Sequence, residues 1–266
     1  VVEEALFYVF VVGTAGSGKS TLVDSFASWL QDHELDVATV NLDPAALWLP
    51  YGPDVDVRDY VNVEEVMRKY NLGPNGALIA CADMIAAHVE RLKEEINDLN
   101  PEYVLVDTPG QMELYAFRSA GPYITSQLAG ERSAVLFLID SVFAERPSGL
   151  VSALLLASSV NYRLLKPQLN VLSKVDLLSQ ESREKLYQWL ENPLDLMEAL
   201  DRDLSGMSRE MNQRLCEVLR EVGASMNLLP VSSKTGEGLD ELFAELQRVF
   251  AGGGEEYVGD MEDVGV

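Results

Sequence analysis

Six short runs rich in Val, Leu, Ile and Phe recur along the chain: LFYVFVVG at 6–13, DVATVNLD at 36–43, EYVLVDTPG at 102–110, SAVLFLID at 133–140, PQLNVLSKVD at 167–176 and MNLLPVSS at 226–233. The stretches between them place apolar residues three and four apart, so the pattern is a strand followed by a helix, repeated. Near-continuous apolar strands alternating with helices predict a doubly wound, mostly parallel α/β sheet with helices on both faces. In such sheets a ligand site lies at the carboxyl ends of the strands, and several of these runs end in a polar or Gly-rich turn.

Two segments are longer than a crossover needs. Residues 44–100 hold two helical patterns around the stretch NLGPNGAL at 71–78, the second running from about Ala82 to Leu99. Residues 178–225 carry Leu200, Leu204, Met207, Met211, Leu215 and Leu219 at a spacing of three to four, a stripe that reads as helix packing or a partner surface. The expected organisation is one domain over residues 1–250, with helical insertions at about 44–100 and 178–225, and an acidic flexible tail over 251–266.

Composition narrows the class. With 47% apolar residues in 266, the chain can bury a full core. It has no uncharged apolar run of about 18 residues and no leader pattern, so a soluble cytoplasmic protein without a membrane span is expected. Cys81 and Cys216 are far apart and outside any CxxC pattern, which points to reduced packing residues. A net charge of −23 disfavours direct nucleic acid binding, which relies on clustered Lys and Arg. His33 and His88 have no neighbouring nucleophile and read as surface residues.

The chemistry is concentrated at strand ends. GTAGSGKS, from Gly13 to Ser20, follows the first strand and opens a helix, the full GxxxxGK[ST] pattern in its required context. Gly13, Gly16 and Gly18 let the backbone approach phosphates, whose contacts would extend over Ser17 and Thr21. Lys19 would reach the β and γ phosphates and Ser20 would supply a magnesium ligand. The third run ends in DTPGQME, where Asp107 can hold Mg²⁺ through water and Gly110 can offer its N–H to a γ-phosphate oxygen. Gln111 follows where an amide could orient an attacking water. Glu113 is either a second water-activating candidate or a complement to a helix dipole. Asp43, in NLDPAA, either binds magnesium-coordinated water, activates the nucleophile, or caps the next helix.

Base choice is read from SKVD. The Asp176 carboxylate can accept from guanine N1–H and N2–H₂, a pairing adenine cannot match, and the methylene stem of Lys174 can cover the ring. Ser173 stands where the common guanine-reading NKxD has Asn. VSSK at 231–234 adds the Ser233 N–H as a donor to guanine O6. Asn75 has two readings: part of a helix break and restart in which it caps the next helix, or an amide held by Pro74, Gly73 and Gly76 for chemistry.

The order phosphate loop, NLDPA, Gly-Pro-Asn, DTPGQxE and SKxD resembles the GPN-loop GTPases, a family within the dimeric SIMIBI class of P-loop NTPases. The resemblance spans roughly Leu6 to Phe250 and includes YGPDVDVRDYV at 51–61, whose Asp54, Asp56 and Arg58 it leaves without roles. It implies a Mg²⁺-dependent GTPase acting as a homodimer or as a heterodimer with a related GTPase. In that arrangement Asn75 of one subunit stabilises hydrolysis in the other, and a protein client is possible. An ATP-driven partitioning or protein-targeting member of the class is the competing reading; such proteins carry a second lysine after the first loop glycine, where this chain has Thr14. A nucleotide-binding module without catalysis is the third, opposed by Lys19, Ser20, Asp107 and Gln111 occurring together.

Overall fold

The computed structural model describes residues 6–130, 132–203, 214 and 228–252. The described strands are β1 Phe7–Gly13, β2 Val37–Asn41, β3 Val55–Asp56, β4 Tyr103–Asp107, β5 Ser133–Asp140, β6 Gln168–Ser173 and β7 Leu228–Val231, in the order β3-β2-β4-β1-β5-β6-β7. Every pairing among them is parallel. The fold class expected from the apolar runs therefore holds.

Both faces of the sheet are buried, which explains why the strands read as unbroken apolar runs. Along β1 the side chains alternate: Tyr8, Phe10 and Val12 enter one apolar cluster, and Val9 and Val11 the other. The second cluster is closed by α1 Lys19–Asp32, through Leu22, Val23, Phe26 and Leu30, and by α11 Leu239–Ala251, through Leu239, Leu242, Leu246 and Val249. The first is closed by α2 Val63–Tyr70, α3 Pro74–Ala87, α4 Val89–Leu99, α5 Met112–Ala116, α6 Ala120–Leu128, α7 Ser141–Ala144 and α8 Pro147–Leu164, with α9 Gln180–Glu191 and α10 Pro193–Asp203.

The segment 44–100 differs from expectation in three ways. It contains a seventh strand, β3, pairing Val40 with Val55 and Asn41 with Asp56; two residues of DVDV are too short a run to stand out by alternation. The helical pattern from Ala82 to Leu99 is split at His88, which ends α3, begins α4 and is half-buried against the Tyr60 ring at 5.8 Å rather than on the surface. The Gly-Pro-Asn tripeptide marks a helix break and restart, but Asn75 does not cap the new helix. The preceding helix, α2, ends on Asn71 in a left-handed conformation, and α3 begins with Gly73 as N-cap, Pro74 in its first position and Asn75 behind it. Cys81 is buried in α3.

Of the segment 178–225, α9 and α10 are described, and Leu200 is buried. Leu204, Met207, Met211, Leu215, Leu219, Cys216 and the tail from 253 lie outside the described residues.

Candidate active site

The crossover from β1 through α1 to β2 leaves room for β4 between β1 and β2, while β5 lies on the other side of β1. This is the topological switch point where open parallel sheets bind ligands. Strand ends meet there: Asn41 pairs with Asp107, Asp140 with Ser173, and Ser173 with Val231.

The loop from Gly13 to Gly18 needs its glycines for local reasons. A Cβ on Gly13 would lie 2.7 Å from Ser17 Oγ and 2.8 Å from the Leu138 carbonyl, so no other residue fits. Gly16 and Gly18 have φ of +79° and +96°, the left-handed region that disfavours a side chain. No side chain caps α1, so its first amides remain open to an anion. Lys19 is buried, and its Nζ donates to the carbonyls of Gly13 at 3.1 Å and Thr14 at 3.2 Å. Burial holds its pKa below the usual lysine range, against the opposing pull of Asp107 and Asp43. Ser17 Oγ is buried without a partner among the described residues, and Thr21 is exposed on α1.

Asp107 ends β4 at 1% exposure. Its Oδ2 accepts from Tyr51 Oη at 3.1 Å, its Oδ1 is buried without a partner among the described residues, and Ser20 stands near enough to favour the charged carboxylate. Burial pushes its pKa up to about 6, against the lowering influence of Ser20, Lys19 and Tyr51. Burial first, and then Asp107, raise the Tyr51 phenol in turn, so it remains a donor.

Asp43 does not cap a helix. Its Oδ2 accepts from Gly110 N at 3.0 Å and its Oδ1 from Ala45 N at 2.9 Å. The Gly110 amide expected to meet a γ-phosphate is thus held by a carboxylate of the chain itself. Behind Asp43 stands Asn41, fully buried, whose Oδ1 accepts from Asp43 N at 3.0 Å and whose Nδ2 donates to Asp56 Oδ1 at 2.9 Å. Asp56 is paired with Arg58, which also donates to the Ala46 carbonyl at 2.9 Å. Asp54 accepts from Thr39 N at 2.8 Å. These three residues therefore bind the 44–56 loop to β2.

On the base side, Ser173 Oγ lies 2.7 Å from the Ser17 carbonyl and 3.1 Å from that of Ile139, tying this loop to the phosphate loop. The Ser173 hydroxyl thus braces the base-side loop against the phosphate loop. Lys174, at φ +61°, donates to the Gly16 carbonyl and to Asp140 Oδ2 at 2.7 Å. Its Cε lies 3.7 Å from where a Cβ on Gly18 would stand, so its stem runs along the phosphate loop. Asp176 is half-buried with Oδ1 accepting from Ser232 Oγ at 2.7 Å. Ser233 follows in the turn after β7.

Gln111 is exposed at the start of α5, immediately after Gly110, and Glu113 is exposed in its first turn. Beside them lies a cavity of about 200 Å³ reaching Ala15, Asp43, Gly110 and Gln111, walled in part by Leu78 and Ala82 of α3. Asn75 is exposed, and its amide makes no hydrogen bond among the described residues. Sequence reading missed Tyr51, Asn41, Asp140 and Ser232. The last three had a signal, each being a polar residue at or just past an apolar strand's end; Tyr51 had none, because its partner is 56 positions away.

A doubly wound parallel sheet with a glycine loop closing onto a helix start at its switch point defines a nucleoside-triphosphate-binding protein of the P-loop class. A family model described as "Conserved hypothetical ATP binding protein" matches residues 11–252. A GPN-loop GTPase of Pyrococcus abyssi is 36% identical over 242 residues, covering 88% of this chain and 93% of the relative. GPN-loop GTPase 1 of Dictyostelium discoideum is 30% identical over 259 residues, covering 96% of this chain; the chain spans 64% of that relative's length. The crystal structure of a GTPase from Pyrococcus abyssi in apo form superposes with a TM-score of 0.82 at 35% identity, covering 91% of this chain and 96% of that one. The chain belongs to the GPN-loop GTPase family.

Proposed function

We propose that this chain binds GTP with Mg²⁺ and hydrolyses it to GDP and phosphate, with Asn75 completing the site of a second subunit. The observation that carries the reading is one site that joins a phosphate loop, a buried aspartate with a free oxygen, and a base-side carboxylate. With Oδ1 of Asp176 held by Ser232, the carboxylate has a fixed orientation from which to accept from guanine N1–H and N2–H₂. Adenine has no such pair of donors, which favours GTP over the ATP of the family model's description.

The residues fit Mg²⁺. Among the described residues no group of three or more His, Cys, Asp or Glu forms a metal cage, whereas Asp107 Oδ1 is orphaned with the Ser20 hydroxyl beside its carboxylate. Mg²⁺ suits that donor set, since it keeps several waters and takes other ligands from substrate phosphates. When bound it would neutralise charge building on the β and γ phosphate oxygens. Lys19 would leave its carbonyl partners for the phosphates, and Gly110 N–H would exchange Asp43 Oδ2 for a γ-phosphate oxygen. That exchange frees Asp43 beside the γ-phosphate, where it joins Gln111 and Glu113 as candidates to orient the water or receive its proton. Water oxygen then bonds to the γ-phosphorus as the bond to the β–γ bridging oxygen breaks.

Three observations support action in a second subunit. The Asn75 amide is unpartnered among the described residues, and its flanking glycines are not demanded by this chain: Gly73 has φ −72° and open space at its Cβ, and a Cβ on Gly76 makes only ordinary contact. Leu47 and Trp48, 99% and 77% exposed on the loop after Asp43, offer apolar surface for a homodimeric or heterodimeric partner. The family resemblance also favours a protein client. Isothermal titration with GTP and ATP in Mg²⁺ tests the reading: GTP should bind about 100-fold or more tighter, and Lys19→Ala should lose tight binding while keeping its melting temperature. Equal ATP affinity, or unchanged GTP affinity in Lys19→Ala, would contradict it.

A further inference from the structure

We propose that Tyr51 is a positioning residue that aims Asp107 at the metal, an inference that rests on the Mg²⁺-dependent reading above. A carboxylate is twofold symmetric, and rotation about its last bond exchanges its oxygens unless something distinguishes them. Here they are distinct: Oδ2 takes the Tyr51 hydroxyl at 3.1 Å while Oδ1 is buried with no partner among the described residues. The tyrosine donor holds the plane of the carboxylate and leaves one oxygen without a partner for an incoming ligand.

The hydroxyl is delivered by a pinned loop. Three residues after Tyr51, Asp54 is bound to Thr39 N and Oγ1 at 2.8 and 2.9 Å. Five residues before it, the Ala46 carbonyl is held by Arg58 at 2.9 Å. The ring itself packs against the apolar cluster under α1, a task phenylalanine would do equally well. The hydroxyl is therefore separable from the packing, and its one hydrogen-bond partner among the described residues is Asp107. A donor behind a metal-binding carboxylate has a defined effect: it fixes the ligand's orientation without touching the metal.

The test is a Mg²⁺ titration of the full chain bound to a fluorescent GDP analogue, for wild type, Tyr51→Phe, Asp107→Ala and the double variant. The Mg²⁺ concentration for half-saturation should rise about 10-fold in Tyr51→Phe, while GDP affinity in EDTA stays within about twofold. The double variant should need no more Mg²⁺ than Asp107→Ala alone, because the hydroxyl acts only through that carboxylate. If Asp107→Ala raises the Mg²⁺ requirement and Tyr51→Phe does not, the tyrosine inference is wrong and the metal reading stands. Equal losses for Tyr51→Phe in EDTA and in Mg²⁺, or a double variant weaker than Asp107→Ala, also overturn it. An unchanged requirement in Asp107→Ala would overturn both.

Discussion

Replacing Asp43 by alanine removes the carboxylate that holds the Gly110 amide at 3.0 Å, and with it a competitor for any γ-phosphate oxygen arriving there. A hydrogen bond to a charged group contributes a net of about 1.5–3 kcal/mol. Asp43 is only half-buried, so the lower end applies, and about 1.5 kcal/mol corresponds to about 10-fold in affinity. Repulsion between the carboxylate and a γ-phosphate adds to this in the same direction, less so as salt screens it. GDP brings no γ-phosphate and should bind much as before. The variant should therefore raise the affinity of a non-hydrolysable GTP analogue over GDP by about 10-fold. Asp43→Asn keeps a neutral acceptor for the Gly110 N–H and should fall between wild type and alanine. Isothermal titration in EDTA keeps metal contacts out of the comparison. A GTP-to-GDP ratio that is unchanged or lower in Asp43→Ala would refute the exchange of Asp43 for phosphate at Gly110.

Burial raises Asp107 from the ordinary 3.8 to about 6, so the folded state holds its proton more tightly than the unfolded state. Its stabilising contribution is fully present below about pH 4 and is lost as pH rises through about 6, a swing of about 3 kcal/mol. Asp107→Asn should gain stability relative to wild type over that window in nucleotide-free urea melts, and a constant difference would reject the assignment. Asp176→Asn exchanges donor and acceptor at the base edge; it should lose about 10- to 1000-fold in GTP affinity and prefer xanthine nucleotides, and an unchanged preference of GTP over XTP would place base reading elsewhere. Ser173→Ala removes the bond to the Ser17 carbonyl and should cost about 1 kcal/mol of stability with a several-fold weaker GTP affinity, read by melting and calorimetry.

What was legible in the sequence is what local rules encode. Gly13 through Ser20 announced a phosphate loop because a strand, left-handed glycines and a helix start follow one another without tertiary help. Asp107 and Asp176 stood out for a similar reason, as carboxylates at or just after the end of an apolar strand. Tyr51 did not, and Asp56 and Arg58 carry no legible role there, because their roles arise only when the loop 44–56 folds back on β2 and β4. Asn75 was misread as a possible cap because an amide after Gly-Pro suits that task. The backbone instead gives the cap to Gly73 and leaves the amide two residues further on, exposed. His88 was misplaced because a helix boundary between two apolar faces leaves no break in periodicity.

The central claim, a GTP-hydrolysing site completed by the Asn75 of a second subunit, is tested most directly by single-turnover GTP hydrolysis with Asn75→Ala and Lys19→Ala, each alone and then mixed. Asn75→Ala should bind GTP nearly normally and hydrolyse it about 10²-fold more slowly, the scale seen when one donor to developing charge is removed. Lys19→Ala alone should be inactive through failed binding. Mixed dimers should regain activity, since each holds one site with an intact phosphate loop facing an intact Asn75. A normal rate in Asn75→Ala alone, or no recovery in verified mixed dimers, would contradict the account.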